Sequence, residues 1–268
     1  MGRCAGTAPV CSLAQFSEDR GDAPRAIGPR IAPVPHPSLA HRRHNRPVQD
    51  GVPFRDLTVG EFNERLASSE PVPGGGSASA VAASLAASLV TMVAELSKRP
   101  KYMEHIALHG VAQAKGRELT ARLLELADED AAAYGAFAAA MKLPRETEAE
   151  RESRSVAMRA AARVAAEVPL RCLEACHEVV LAAESLAGRC NINASSDLTV
   201  SVLLAEAAAK GAAANVRVNL PSVGDERWAG ETEWRVVGLL EDIAKTASSC
   251  RDVVASGGLR GPVPATSS

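Results

Sequence analysis

Between Ser77 and Ala94 lie 18 residues without a single charged side chain. That length is within reach of a bilayer span, so the segment belongs either in lipid or inside a protein core. Its composition favours the core: it is mainly Ala and Ser, with few Leu or Val, so transfer to hydrocarbon gains little. Small residues recur at i and i+4 (Ala78, Ala82, Ala86; also Ser84, Ser88), which lets another backbone approach closely, in water or in a membrane. A central buried bundle helix is expected, with a membrane span as the alternative.

The remaining segments supply helices to surround it. Thr58 and Glu61 form a capping box that opens a short helix to about Ala67. Ser68 to Gly76, with Pro71, Pro73 and three glycines, is a loop, and Ser77 is placed to cap the charge-free helix, which runs to about Ser97. Pro100 separates it from a long helix, roughly Tyr102 to Lys142, ended by Leu143-Pro144. Thr147 and Glu150 form a second capping box, opening a helix from about 148 to 187 with Pro169 as a kink. Gly188 to Ser195 is polar and irregular. A fifth helix starts at Ser196-Asp197 and reaches about Val218, Pro221 to Gly230 is a loop, and a last amphipathic helix spans about Glu231 to Val254. No strand pattern is left over, and aromatic residues are only 3%. The expected fold is all-α, a bundle of long antiparallel helices.

Three regions follow: a disordered leader over 1–53, a helical domain over 54–256 and a disordered tail over 257–268. The leader carries prolines at 9, 24, 29, 33, 35, 37 and 47, arginines at 42, 43 and 46, and no apolar period. His36, His41 and His44 fit a basic flexible arm better than a metal tract, and the leader is expected to be dispensable. A formal net charge of -2 offers no basic footprint, so no nucleic-acid partner is expected. Six cysteines make no disulfide framework, which points to reduced thiols and a cytoplasmic chain without a secretory signal. Cys172 and Cys176 share a helix face beside His177. With no second Cys/His pair they are packing cysteines, and no metal site is expected.

Three places carry candidate chemistry. In the long third helix an apolar stripe runs Leu119, Leu123, Leu126, then Asp130, then Ala133, Phe137, Met141. A carboxylate in a slot made for Leu is costly unless it is paired or sits in a cleft, so Asp130 is either functional or a structural ion pair. Asp128 lies roughly 200° around the helix and faces elsewhere. Second, Gly74, Gly75, Gly76 and Ser77 precede a helix N-terminus, where free N–H groups and the positive dipole end make an anion cradle or simply a flexible connector. Third, Asn191, Asn193 and Asp197, continued by Asn215 and Asn219, offer amides for a flat heterocycle, or else cap helices and turns.

These signals, in this order, resemble the formimidoyltetrahydrofolate cyclodeaminase / methenyltetrahydrofolate cyclohydrolase family. The matching stretches are Pro71-Val72-Pro73-Gly74-Gly75-Gly76-Ser77; Leu126-Ala127-Asp128-Glu129-Asp130-Ala131 with Lys142-Leu143-Pro144; Val168-Pro169-Leu170; Asn193-Ala194-Ser195-Ser196-Asp197; and Asn215-Val216-Arg217-Val218-Asn219. The resemblance spans roughly Leu57 to Val254. The family pattern has Gly before Asn191, where this chain has Cys190.

The resemblance implies an all-helical homodimeric enzyme of folate one-carbon metabolism, with no cofactor beyond its tetrahydrofolate substrate, which can be polyglutamylated. It places the catalytic acid/base on Asp130 and substrate binding on Gly74, Gly75, Gly76, Ser77, Asn191, Asn193, Asp197 and Asn215. Lys98, Arg99 and Lys101 either attract a glutamate tail or form a solvated charge run. The transferase half of the bifunctional relatives is not encoded in so short a leader. That favours hydrolysis of 5,10-methenyltetrahydrofolate to 10-formyltetrahydrofolate; cyclodeaminase activity and an inactive helical scaffold are the alternatives.

Overall fold

The structure, a computed structural model, describes residues 51–263; the leader up to residue 50 and the tail from residue 264 lie outside the described residues. After a 3-10 turn at Phe54–Asp56 come six helices: α1 (Val59–Leu66), α2 (Gly75–Leu96), α3 (Ile106–Met141), α4 (Glu148–Leu186), α5 (Ser195–Val223) and α6 (Glu226–Ser256). No strand occurs among the described residues. Both capping boxes form, at Thr58/Glu61 and Thr147/Glu150, each satisfying two N–H groups that a helix start leaves open.

Cross-helix pairs set the directions. Along α2 and α3, Ser77 meets Asp130, Ser88 meets Thr120 and Gln113 meets Glu95, so the two helices are antiparallel. Along α2 and α5, Ser201 bonds the Ala86 carbonyl while Asn191, just before α5, bonds that of Leu96, again antiparallel. α4 opposes α3 (Lys115–Glu178, Arg171–Glu129), and α6 opposes α5 (Arg217–Glu233, Arg251–Glu206). α4 and α6 therefore run the same way, as Arg235–Glu174 and Ser249–Glu184 confirm.

α2 lies at the centre of this arrangement. Ala83, Ala86, Ala87, Val90, Val93 and Ala94 are fully buried on it. Among the described residues it is the one helix long and apolar enough to cross a membrane, and half of that span is buried within the bundle. Its small side chains do what the i, i+4 spacing predicts. Gly116 on α3 backs onto Thr91 and Ala87, and Gly211 on α5 backs onto Ser79. Longer side chains close the core from the other helices, notably Leu123, Leu126, Leu173 and Leu198, each worth about 1.5–3 kcal/mol on burial.

The structure differs from the sequence reading at several ends. α2 begins at Gly75 with Gly74 as its N-cap, so Ser77 lies inside the first turn and is not the cap. α5 runs on through Pro221 to Val223: a proline in the last turn forfeits one hydrogen bond, and Gly224 then ends the helix in the left-handed region at φ 70. α6 starts at Glu226, because the Asp225 side chain accepts from Trp228 N–H and caps it. The first tail residues are held in place. Arg260 N–H donates to the Gly188 carbonyl at 2.9 Å, its guanidinium pairs with Glu184 at 2.7 Å, and Arg189 Nε donates to the Gly261 carbonyl at 2.7 Å. Those contacts, invisible to composition, set Arg260 and Gly261 against the turn that follows α4.

Candidate active site

The α3 stripe buries Leu119, Leu123, Leu126 and Ala133 and leaves Asp130 half-buried among them, at the N-terminal end of α2. Gly74 has no side chain with which to cap α2. The Asp130 carboxylate takes that role from across the helix pair. The Ser77 hydroxyl donates to Asp130 Oδ2 at 3.0 Å, and the Ser77 backbone N–H also donates to this carboxylate. Ser77 Oγ further lies 3.0 Å from the Ala127 carbonyl. Burial pushes the Asp130 carboxyl above its usual range, and the two Ser77 bonds pull part of that back. Gly76 is required for this contact, since a Cβ there would sit within 2.6 Å of the Asp130 carboxylate carbon.

A cavity of about 360 Å³ opens beside this carboxylate, within the range of small-molecule sites. Pro71, Val72 and the glycines Gly74, Gly75 and Gly76 form one wall, Asp130, Tyr134 and Phe137 from α3 a second, Ala165 from α4 and Asn215, Val218 and Asn219 from α5 the rest. The glycine turn, the aspartate and the second asparagine motif, which lie far apart in sequence, thus meet. Asn215 Nδ2 donates to the Gly211 carbonyl at 2.9 Å, within its own helix.

The first asparagine motif does not join them. Asn191 N–H donates to Ser97 Oγ at 2.8 Å, its Nδ2 to the Leu96 carbonyl at 3.3 Å, and its Oδ1 accepts from Asn193 N–H at 3.1 Å. It ties a 3-10 turn to the C-terminal end of α2. With 22 residues, α2 puts that end about 33 Å from Gly75. Asn193 is exposed and Asp197 half-buried at the same far end. Lys98 is there too, paired with Glu95 at 3.0 Å and with Gln113, and Lys101 stands over the Tyr102 ring at 5.4 Å. Within one chain, Asn191, Asn193, Asp197 and the basic cluster are therefore remote from Asp130. Helix capping and turn chemistry account for Asn191.

Asp128 faces away from the cavity, as its helical position requires, and its Oδ1 accepts from Phe54 N–H at 2.8 Å. Cys172 and Cys176 are buried and free, and the Cys172 contact together with burial pushes the Cys176 thiol up. Among the described residues no group of three or more His, Cys, Asp or Glu is placed to hold a metal ion. The sequence reading missed Tyr134, Phe137 and Ala165 as cavity walls. Tyr134 and Phe137 follow Asp130 by four and seven residues, so their helical spacing was the available signal; Ala165 carried none.

Residues 58–237 match the family described as formiminotransferase-cyclodeaminase. The chain belongs to that family. Methenyltetrahydrofolate cyclohydrolase of Methylorubrum extorquens is 37% identical over 186 residues, which cover 69% of this chain and 89% of that enzyme. The formimidoyltransferase-cyclodeaminase of Gallus gallus is 35% identical, over 75% of this chain but only 38% of its own length. The crystal structure of formiminotetrahydrofolate cyclodeaminase from Thermotoga maritima shares the fold with a TM-score of 0.63 and 25% identity, over 76% of this chain and 96% of that one.

Proposed function

We propose that this family member hydrolyses 5,10-methenyltetrahydrofolate to 10-formyltetrahydrofolate, with Asp130 as the proton-transfer group. The observation that carries the reading is the half-buried Asp130 carboxylate lining a cavity beside the α2 glycine turn. Similarity to a cyclohydrolase over 89% of that enzyme's length supports the hydrolase reading over the alternatives.

The chemistry suits a single carboxylate. The substrate carbon bridging N5 and N10 is an electron-poor amidinium. A water attacks it, its oxygen forms the new C–O bond, and Asp130 takes the proton released. The neutral adduct then collapses. The C–N5 bond breaks, N5 takes up a proton and the hydroxyl loses one as the formyl C=O forms, so one proton is released overall. A carboxylate close to the cation also draws the charged substrate into the site, an attraction that contributes to binding and weakens as the charge is neutralised. The reaction draws on no cofactor beyond the folate itself. Gly74, Gly75, Gly76, Ser77 and Asn215 line or support the substrate site in this reading.

Cyclodeaminase activity is the second reading, favoured by the likeness to the Thermotoga enzyme over 96% of its chain. There N10 attacks the formimidoyl carbon and ammonia leaves, and Asp130 takes the N10 proton and returns one to the departing nitrogen. Purified protein offered each folate separately separates the two by methenyl absorbance: a fall with the methenyl substrate marks the hydrolase, a rise with the formimidoyl substrate the deaminase. No change with either would overturn both.

The working unit in this proposal is a cytoplasmic homodimer. Outside the core, α2 carries an apolar stripe of Val81, Leu85, Leu89, Met92 and Leu96, with Leu85 54% exposed. A second copy docking there face to face runs antiparallel, since parallel pairing would set Lys98, Arg99 and Lys101 of both copies side by side. Antiparallel pairing also carries the Asn191–Asp197 turn of one copy toward the Asp130 end of the other. Burial pushes the Cys190 thiol to about 11 and that of Cys250 to about 12, so both stay protonated near neutral pH.

A further inference from the structure

Pro169 sits in the interior of α4, a 39-residue helix, where proline is normally costly. Lacking an N–H, it cannot bond the carbonyl of Ala165, four residues earlier. Ala165 itself lines the Asp130 cavity. The donor to its carbonyl comes from another helix: Asn219 Nδ2 on α5 donates to it at 2.9 Å, and to the Asn215 carbonyl at 2.9 Å. Both N–H groups of the Asn219 amide are thereby spent on backbone carbonyls. The opposite amide orientation would set Oδ1 against two carbonyl oxygens, so the orientation is fixed by chemistry. Asn219 Oδ1 accepts no hydrogen bond among the described residues, and Asn219 lines the cavity.

We propose that Pro169 is a positioning residue: it frees the Ala165 carbonyl to anchor the Asn219 amide, which presents Oδ1 to the cavity as a fixed acceptor for an N–H of the bound substrate. This rests on the folate reading above, whose flat heterocycle carries several N–H donors. An acceptor locked in one orientation before the ligand arrives loses little freedom on binding. It also discriminates against ligands that present an acceptor at that point.

The test is a double-mutant cycle with methenyltetrahydrofolate as substrate. Asn219→Ala removes the acceptor and is expected to raise KM roughly tenfold to a hundredfold, the range for losing one buried hydrogen bond. Pro169→Ala restores a helical N–H for Ala165 and releases the amide. It is expected to raise KM about fivefold or more while thermal stability holds or improves, because a helix-interior proline is removed. The double variant should bind no worse than Asn219→Ala alone, since Pro169 acts through Asn219. Hydrogen exchange of the Asn219 side-chain amide, followed by NMR in the free protein, should be slow in wild type and fast in Pro169→Ala. An unchanged KM in Pro169→Ala, or additive KM effects in the double variant, would overturn the proposal. A wild type that turns over neither folate sinks the folate reading and the acceptor role with it. The exchange measurement still decides the anchor in that case.

Discussion

Asp130 is held by two opposed effects, burial that raises its pKa and Ser77 bonds that lower it, and each can be varied separately. Asp130→Asn keeps the shape and removes the titrating group, so turnover is expected to fall about 10²–10⁴-fold in the methenyl assay. Asp128→Asn retains an acceptor for Phe54 N–H on another face and is expected to stay active. Stability moves the other way. Below the ordinary Asp value of 3.8 the carboxyl is protonated folded or unfolded. As pH rises through the raised folded value, the native state must hold a carboxylate that burial disfavours, and wild type loses stability relative to Asp130→Asn. Urea midpoints of the two proteins should therefore separate in the variant's favour between about pH 3 and pH 7. Ser77→Ala removes the hydroxyl bond, the larger of the two that lower the Asp130 pKa, and keeps the backbone N–H, so the acid limb of the pH–kcat profile should move to higher pH. A limb unmoved in that variant would count against Asp130 as the titrating base.

At the scale of helices, the bundle depends on how closely α2 can be approached. A Cβ on Gly116 would lie 2.9 Å from the Ala87 carbonyl, a backbone atom that cannot step aside. Gly116→Ala should therefore cost about 1–3 kcal/mol by urea unfolding, despite Ala being the better helix former. Gly238 on α6 has nothing within 4 Å of such a Cβ. The same substitution there should stabilise by about 0.5–1 kcal/mol, through helix propensity alone. Equal effects at the two sites would show that α2 is not packed as closely as the geometry requires. Gly76 is a further case, because what a Cβ meets there is Asp130. Gly76→Ala should depress turnover by displacing the carboxylate, and lower stability by about 0.5–2 kcal/mol through loss of its capping bonds to Ser77.

For the whole molecule, the open question is what covers the outer stripe of α2. The stripe from Val81 to Leu96 is about 23 Å long with helices on either side, and with those helices it reaches the scale of a standard interface burying about 800 Å² per partner. A dimer mass by light scattering at micromolar concentration is expected for wild type, and a monomer for Leu85→Asp, which puts an unpaired carboxylate at the most exposed leucine of the stripe. If the antiparallel pairing also completes the site, that monomer should lose turnover although Leu85 lies far from Asp130. A monomeric wild type would remove the dimer from the account and leave Asp130 untouched.

What the sequence determined by itself are the features written in residues three or four apart. The capping boxes at Thr58/Glu61 and Thr147/Glu150 formed as read, because their hydrogen bonds close within one turn whatever surrounds them. The misfit of Asp130 in its stripe was legible because helical period alone defines that face. The small residues of α2 announced close packing without saying against what. Tertiary structure decided the rest. Ser77, in a good position to cap α2, instead bonds an aspartate 53 residues away, and Asn191, in a motif chosen for its amides, ties a turn to the far end of α2. Pro169 reads locally as a kink, yet the carbonyl it leaves free is served by Asn219, 54 residues from Ala165. Each of these depends on which helix faces meet. That is set by the global sum of many small packing energies, and no short stretch of sequence contains it.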